Sequence, residues 1–369
     1  MDKTYYISRF DANILALFRS AVRVSLKRPR RALFFARAFL WQRRHERVRR
    51  WWRGRNVDVP PVMIISVTDR CNFNCHGCYA RVLRPVPRGE MDTRTLTRVV
   101  GEASELGIGI IMFAGGEPLL RRDLFEVAAS FPDTIFVMFT NGSLLDERVV
   151  ADVVRHPNLI AALSLEGEEG ETDGRRGQRT HERVWDAMEM LRDAGVFFGT
   201  SFTVNRFTLD TVTDDGFIRT VMARGAGVVF FVEYVPIDGA TRDWALTANQ
   251  KEYLTRTADY FSRRYPGLFL AFPGNEEQYG GCLAAGRGFI HVNASGVVEP
   301  CPFAPFAAAD LSETSLRDAL AAPLLKTLAA NREKLGETVG GCALWTNRDW
   351  VAEIAARGRT SGSEDVIIH

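Results

Sequence analysis

The sequence is poor in cysteine and histidine, with six of each in 369 residues. Six cysteines in so long a chain do not make the disulfide framework of a small secreted protein. No run of about 18 uncharged apolar residues occurs, so no transmembrane helix is expected. The opening Met1-Asp2-Lys3-Thr4-Tyr5 lacks the basic and apolar regions of a secretory leader, and a cytoplasmic location is expected. No internal repeat and no low-complexity tract is present, which excludes repeat arrays and extended linkers. What remains is an ordinary globular composition, 46% apolar and 25% charged, long enough for a large core and two domains.

The net charge of +2 conceals a split. Residues 1–56 carry 16 Lys/Arg against 3 Asp/Glu, a balance of +13, and the remainder stands at −11. The basic segment reads as two helices. Ile7, Phe10, Ile14, Leu17, Phe18, Ala21 and Val22 recur at helical spacing, and Pro29 suits the first turn of a second helix ending near Trp51-Trp52-Arg53-Gly54. Three readings are open: an amphipathic element on an anionic membrane, a nucleic-acid contact, or a helical lid packed on the body. No RNA or DNA module motif is present, so no nucleic acid is expected.

From residue 57 onward strands alternate with helices. Strands are expected at 62–67, 109–114, 134–140, 159–165, 197–204 and 228–233, with helices at 93–106, 122–130, 146–155, 181–194 and 212–224. Gly107, Gly195 and Gly225 follow three of these helices as C-terminal stops. Six such units predict a parallel sheet with right-handed crossovers and ligand sites at the carboxyl ends of its strands. The division expected is a basic helical segment over 1–56, a barrel over 57–240, and a looser α+β portion over 241–369.

The chemistry concentrates after these strands. Cys71-Asn72-Phe73-Asn74-Cys75-His76-Gly77-Cys78 places three thiols at C-x3-C-x2-C behind the first strand. Soft thiolates at this spacing suit an iron–sulfur cluster or zinc, and a closed structural zinc site takes four ligands where this run offers three. A zinc knuckle or scattered thiols is the alternative. Gly115-Gly116-Glu117-Pro118 follows the second strand, Thr140-Asn141-Gly142 the third, and Ser164-Leu165-Glu166-Gly167 the fourth. Paired glycines let a backbone approach a ligand closely. Asp173-Gly174-Arg175-Arg176-Gly177 comes next, read either as a carboxylate-binding arginine or as a solvated basic turn. Ser201, Thr203 and Asn205 share one face of the fifth strand.

Over about residues 60–235 these motifs resemble the radical S-adenosylmethionine (SAM) enzymes. The resemblance implies an α/β fold built as a partial (β/α)6 TIM-like barrel. It implies a [4Fe–4S] cluster on Cys71, Cys75 and Cys78, whose open iron takes the amino and carboxylate groups of SAM. Reduction there cleaves SAM to a 5′-deoxyadenosyl radical. By the same resemblance Gly115, Gly116, Glu117 and Pro118 meet the SAM ammonium, Asn141 lies near the cofactor, and Ser164 faces its ribose or carboxylate. Arg176, Ser201 and Thr203 are further SAM contacts. Glu166 stands where the family commonly has Asp, one methylene shorter. Gly77 stands where many members carry an aromatic residue near the adenine, and Tyr79 follows the third cysteine instead.

The remaining thiols form Cys282-x13-Gly296-x4-Cys301, with Cys342 downstream. Residues 289–296 read as a hairpin that brings the first two together. The pattern resembles the opening of a SPASM or twitch extension, in truncated form. It implies one auxiliary iron–sulfur cluster on Cys282, Cys301 and Cys342. Three buried structural cysteines, or zinc on these thiols with His291, are the alternatives.

The function expected is hydrogen abstraction from a peptide, small-molecule or lipid-linked substrate, with a reductant such as flavodoxin or ferredoxin. Peripheral contact with an anionic membrane is expected of the basic segment. The second reading is a non-catalytic iron–sulfur scaffold or electron carrier.

Overall fold

A computed structural model describes residues 3–86, 89–274, 276–336 and 342–359. Ten strands form a single sheet: β1 Val62–Thr68, β2 Ile110–Gly115, β3 Ile135–Thr140, β4 Leu159–Leu165, β5 Gly199–Val204, β6 Val228–Glu233, β7 Leu268–Phe272, β8 Phe289–Val292, β9 Val297–Glu299 and β10 Ala309–Asp310. Their order is β10-β9-β8-β1-β2-β3-β4-β5-β6-β7. Every pairing from β8 through β7 is parallel, and β9 pairs antiparallel with both β8 and β10.

The six expected βα units are present, each within about two residues of its expected strand. Local chemistry explains the precision. Asp92 caps helix Thr93–Leu106 by accepting from Thr95 N at 2.7 Å, and Gly107 ends it at φ 93°. Asp146 caps Glu147–Arg155 in the same way. The strands of the looser portion over 241–369 extend the barrel sheet: β7 joins one edge, and β8 to β10 join the other.

A parallel sheet must bury both faces. Met63, Ile65, Val67, Ile111, Phe113, Phe136, Met138, Leu163 and Phe202 point outward, under the surrounding helices. Their neighbours of opposite parity, Val62, Ile110, Ile135, Val137, Ile160 and Val228, point into the concave face. There they meet helices α1 (Lys3–Val24) and α2 (Pro29–Arg53) through Ile14, Phe18, Ala21, Phe35 and Ala38. The basic segment is thus a plug across the amino end of the barrel.

Its polar residues serve the same closure. Gln42 Nε2 donates to Gly109 O at 2.8 Å, His45 Nε2 lies 3.1 Å from Asp133 O, and Arg31 Nη2 donates to Gly195 O at 2.9 Å. Arg49 donates to Gly107 O and pairs with Asp11 at 2.7 Å, both side chains only 2% exposed. These are carbonyls of the turns that feed β2, β3 and β5, and buried carbonyls need such partners. The aromatic face offered to a membrane by sequence is largely spent here. Phe18 is buried, and Phe34, Phe39 and Trp41 pack on the same cluster. No helix among the described residues is long and apolar enough to cross a membrane.

Removing one partner of a buried ion pair leaves an uncompensated charge, at a cost of about 3–5 kcal/mol. Asp11→Ala should therefore lower the urea midpoint sharply, and the paired replacement Asp11→Leu with Arg49→Met should lose much less. Equal midpoints for Asp11→Ala and the parent chain would show that the pair does not hold the plug.

Candidate active site

All the motif residues gather at the carboxyl edge of the sheet. The cysteine loop leaves β1 and is held from below by backbone. Gly116 N donates to Thr68 O at 2.7 Å, and Glu117 N donates to Arg70 O at 2.9 Å. A Cβ on Gly115 would lie 2.3 Å from Thr68 O, and one on Gly116 only 1.9 Å from Arg70 O. The paired glycines therefore admit the cysteine loop's own backbone, where the sequence suggested approach to a ligand. Pro118 opens the single turn Pro118–Leu120 that follows.

Glu117 faces inward. Its side chain is 1% exposed, and it accepts from Thr140 Oγ1 at 2.6 Å, Asn141 N at 2.8 Å and Leu119 N at 3.0 Å. Burial pushes its carboxyl up from the ordinary value, opposed by these three donors. Glu117 thereby fixes the loop after β3. Asn141 Nδ2 in turn donates to Asn72 Oδ1 at 2.9 Å, and Asn72 Nδ2 to Ser143 Oγ at 2.8 Å. Glu117, Asn141 and Asn72 so form one chain of bonds ending inside the C-x3-C-x2-C run. Asn72 carries no signal of its own in the sequence.

The other side of the loop meets arginines. Asp173–Arg176, for which a solvated basic turn is one of two readings, ends the helix Glu169–Arg176. Arg176 donates from Nε and Nη2 to Glu166 Oε1 at 2.6 Å, and Arg175 Nη1 bonds both Glu166 Oε1 and Thr203 Oγ1. His76 N donates to Arg175 O at 2.9 Å. Burial pushes the Cys75 thiol up, and Arg176 and Arg175 pull it back down. Burial pushes the Cys71 thiol up as well, and Glu117 adds to the rise. Arg176 keeps its charge in spite of burial because Glu166 and Cys75 lie beside it. The two guanidiniums thus partly offset the burial that disfavours a thiolate at Cys75.

The polar wall continues along β4 and β5, where Ser164 stands directly opposite Ser201. Glu166 Oε2 is buried with no hydrogen-bond partner among the described residues. An orphaned carboxylate oxygen beside these hydroxyls and two arginines fits a ligand with its own donors and a carboxylate. Asn205 is spent on its own turn, accepting from Phe207 N and Thr208 N. Gly77 has φ 65°, and a Cβ there would lie 2.5 Å from Tyr234 Oη. Tyr234, just past β6, hydrogen-bonds Thr241 at 2.7 Å, and Trp244 lies between it and His76. These rings stand beside the position where the motif lacks its aromatic residue.

The late cysteines also converge. β8 and β9 form the expected hairpin, and Ala285 N donates to Pro300 O at 3.0 Å, drawing the Cys282 turn against Cys301. Cys301 and Cys342 are hydrogen-bonded, and Cys282 lies within their electrostatic reach. Burial pushes the Cys282 and Cys301 thiols well above their ordinary value, and the bond from Cys301 lowers Cys342. His291 is not among them. Its ring nitrogens lie 2.9 Å from Ser66 Oγ and 2.9 Å from Glu299 Oε2, which removes it from a zinc set. Among the described residues no three His, Cys, Asp or Glu side chains are disposed to hold one metal ion. Thiolates of a polynuclear cluster each take a different iron. Tyr79 joins the two sets: it packs on Phe303 at 4.7 Å, with Cys78 and Cys301 both in its field, and burial pushes its phenol up to about 12.

Residues 65–222 match the family model for the Radical SAM superfamily. The chain is 28% identical over 288 residues to the AdoMet-dependent heme synthase of Methanosarcina barkeri, covering 71% of this chain and 82% of that one. It is 24% identical over 257 residues to the PqqA peptide cyclase of Granulibacter bethesdensis, covering 66% and 68%. A crystal structure of Streptococcus suis SuiB bound to S-adenosylmethionine superposes with a TM-score of 0.64 at 16% identity, over 82% of this chain and 77% of that one. The chain belongs to the radical SAM superfamily and is an enzyme. Membership brings SAM and a [4Fe–4S] cluster, and the reading as a mere electron carrier is set aside.

Because the loop is seated by backbone contacts, Gly116→Ala should yield folded chain that binds little iron. Gly170→Ala, with nothing within 4 Å of the added carbon, is the control. Iron per chain, measured after anaerobic reconstitution, decides the matter, and a fully loaded Gly116→Ala protein would refute the seam.

Proposed function

We propose that Cys71, Cys75 and Cys78 hold the [4Fe–4S] cluster, that SAM lies across the carboxyl edge from it, and that the enzyme abstracts hydrogen from an unactivated C–H bond. The bound, reduced pair supplies a 5′-deoxyadenosyl radical. The residues around it bind and orient. Glu166 Oε2 and the hydroxyls of Ser164, Ser201 and Thr203 accept and donate to the polar groups of SAM. Arg175 and Arg176 hold positive charge beside Cys75, for the SAM carboxylate or the thiolates. The backbone of Gly115 and Gly116 shapes the floor. A primary-carbon radical attacks almost any nearby hydrogen, so the substrate carbon must be held close and competing paths excluded. The single observation that carries this reading is the chain Glu117–Asn141–Asn72, which couples two motif loops to the cysteine loop.

A second cluster on Cys282, Cys301 and Cys342 accepts an electron from, or ligates, a substrate lying near Tyr79. A peptide or a small molecule fits that position.

Anaerobic protein incubated with SAM and dithionite should release 5′-deoxyadenosine, and the variant with Cys71, Cys75 and Cys78 all changed to Ala should release none. Undiminished release from that variant would overturn the assignment.

A lipid-linked substrate is the second reading. It is favoured by Leu26, Leu33 and Leu40, which are 56–65% exposed at seven-residue spacing, among exposed Arg30, Arg37, Arg44 and Arg47. Such a face predicts binding to anionic vesicles that fades with salt and weakens in Leu33→Ser/Leu40→Ser. Equal recovery of parent and variant on neutral and anionic vesicles would exclude it.

A further inference from the structure

The inner face of the barrel is not filled along its whole length. Near the plug its apolar side chains are buried, Val62, Ile110, Val137 and Val228 among them. Toward the carboxyl end the inward positions Ile64, Met112, Phe139, Val232, Leu270 and Phe272 are partly exposed. All but Ile64 pack on the apolar cluster of the concave face, so the space that solvent reaches there is the inside of the barrel. Protein interiors are ordinarily close-packed, and an inner face left open in this way is room for a ligand.

The open arc differs chemically from the polar wall beside it. β4 and β5 supply Ser164, Ser201 and Thr203, with Glu166 and its two arginines following. β2, β3, β6 and β7 supply a methionine, aliphatic carbons and a row of rings. Phe139 meets Phe230 edge-on at 5.3 Å, and Phe230 stacks with Phe272 at 5.9 Å. None of the inward positions of these four strands carries an ionisable side chain. His291, on β8, is fully buried and bonded to Ser66 and Glu299. A charge brought into such an arc loses its hydration and finds no partner in exchange. An aromatic ring gains edge and face contacts with the phenylalanines.

The arc also runs up to the cysteine loop. Val232 lies one inward step, about 7 Å, before Tyr234, and Tyr234 Oη stands against Gly77. On β2, Met112 is followed inward by Ala114 and then by Gly116, the seat of that loop. We propose that this arc is the substrate chamber, and that it receives an uncharged aromatic portion of the substrate and holds it against the cofactor. This rests on the placement of SAM along the carboxyl edge under Proposed function. The polar groups of SAM take the β4–β5 wall, and the ring of the substrate takes the apolar arc adjoining it.

The probe is benzophenone, a neutral pair of rings whose light-excited carbonyl bonds to nearby C–H groups. It is compared with its charged counterpart, 4-benzoylbenzoate. Full-length chain with its reconstituted cluster is irradiated anaerobically with each, with and without saturating SAM, and labelled residues are located by peptide mass spectrometry. Benzophenone should mark Met112, Val232 or Leu270 in both conditions, and 4-benzoylbenzoate should mark them roughly tenfold less. Val232→Phe and Leu270→Phe each narrow the arc and should each cut this labelling several-fold, with iron per chain retained. Equal labelling by the two probes, labelling confined to exposed Leu33 and Leu40, or labelling unchanged in both variants would overturn the proposal. Labelling abolished by SAM would assign the arc to the cofactor and overturn it equally. The readout needs no turnover, so it stands apart from the release of 5′-deoxyadenosine. A parent chain that is labelled as expected and releases none would sink the proposed function and leave the chamber in place.

Discussion

The structure of the site depends on a seam where two backbones touch. β1 and β2 lose register between Ser66 and Thr68, and beyond that irregularity the chain runs on against Gly115 and Gly116. No side chain fits between them. The bonds from Gly116 N and Glu117 N place the start of the cysteine loop over the end of the second strand rather than beside it. From there each later loop is placed by the one before: Glu117 sets Asn141, Asn141 holds Asn72, and Arg175 receives His76 N from the far side. A loop with exposed and half-buried thiols becomes preorganised without a core of its own.

The same sheet has two chemistries along its length. Toward the amino end its concave face is apolar and filled by α1 and α2. Toward the carboxyl end the same parity positions become Ser66, Ser164, Ser201 and Thr203. Ser66 does not face a ligand; it bonds His291, which passes the connection to Glu299 and thence to Arg84 at 2.5 Å. Asn293 adds a bond to the other oxygen of Glu299. Burial lowers the pKa of His291, in spite of Glu299 beside it. This network fastens the hairpin of the late cysteines to β1, and Arg84 lies just past the cysteine loop. The two thiol sets are therefore parts of one rigid assembly.

The barrel was legible because its signals are local. Apolar runs, Asp caps and glycine stops each mark an element without knowledge of its neighbours. The motif loops were legible for the same reason, since each follows a strand. What escaped depended on partners distant in sequence. Gln42, His45 and Arg49 read as the polar face of a basic helix, and the structure turns them to carbonyls 58 to 88 residues away. Glu117 read as a ligand-facing acceptor, and nothing near it in sequence announces the donors Thr140 and Asn141 from the next βα unit. The arginines of Asp173–Gly177 read as either a carboxylate site or a solvated basic turn, and Glu166, from the preceding strand, holds them at the end of a helix. His291 read as a spare ligand, and nothing nearby in sequence announces Ser66. The strands of the last third were visible, but not that they would pair with opposite edges of the barrel.

The plug across the barrel base has a consequence for how the chain reaches its native state. Arg31 finds its carbonyl 164 residues later, and Asn13 bonds Tyr279 across 266 residues. Ile14, Phe18 and Phe35 therefore leave the ribosome long before the strands that will shelter them. Closure over such separations is slow, because the entropy of a long loop must be lost before its contacts form. Until β6 and β7 have been made, the nascent chain carries a greasy, strongly cationic pair of helices with no seat. Such a species is prone to aggregate, and shielding it during translation falls to chaperones.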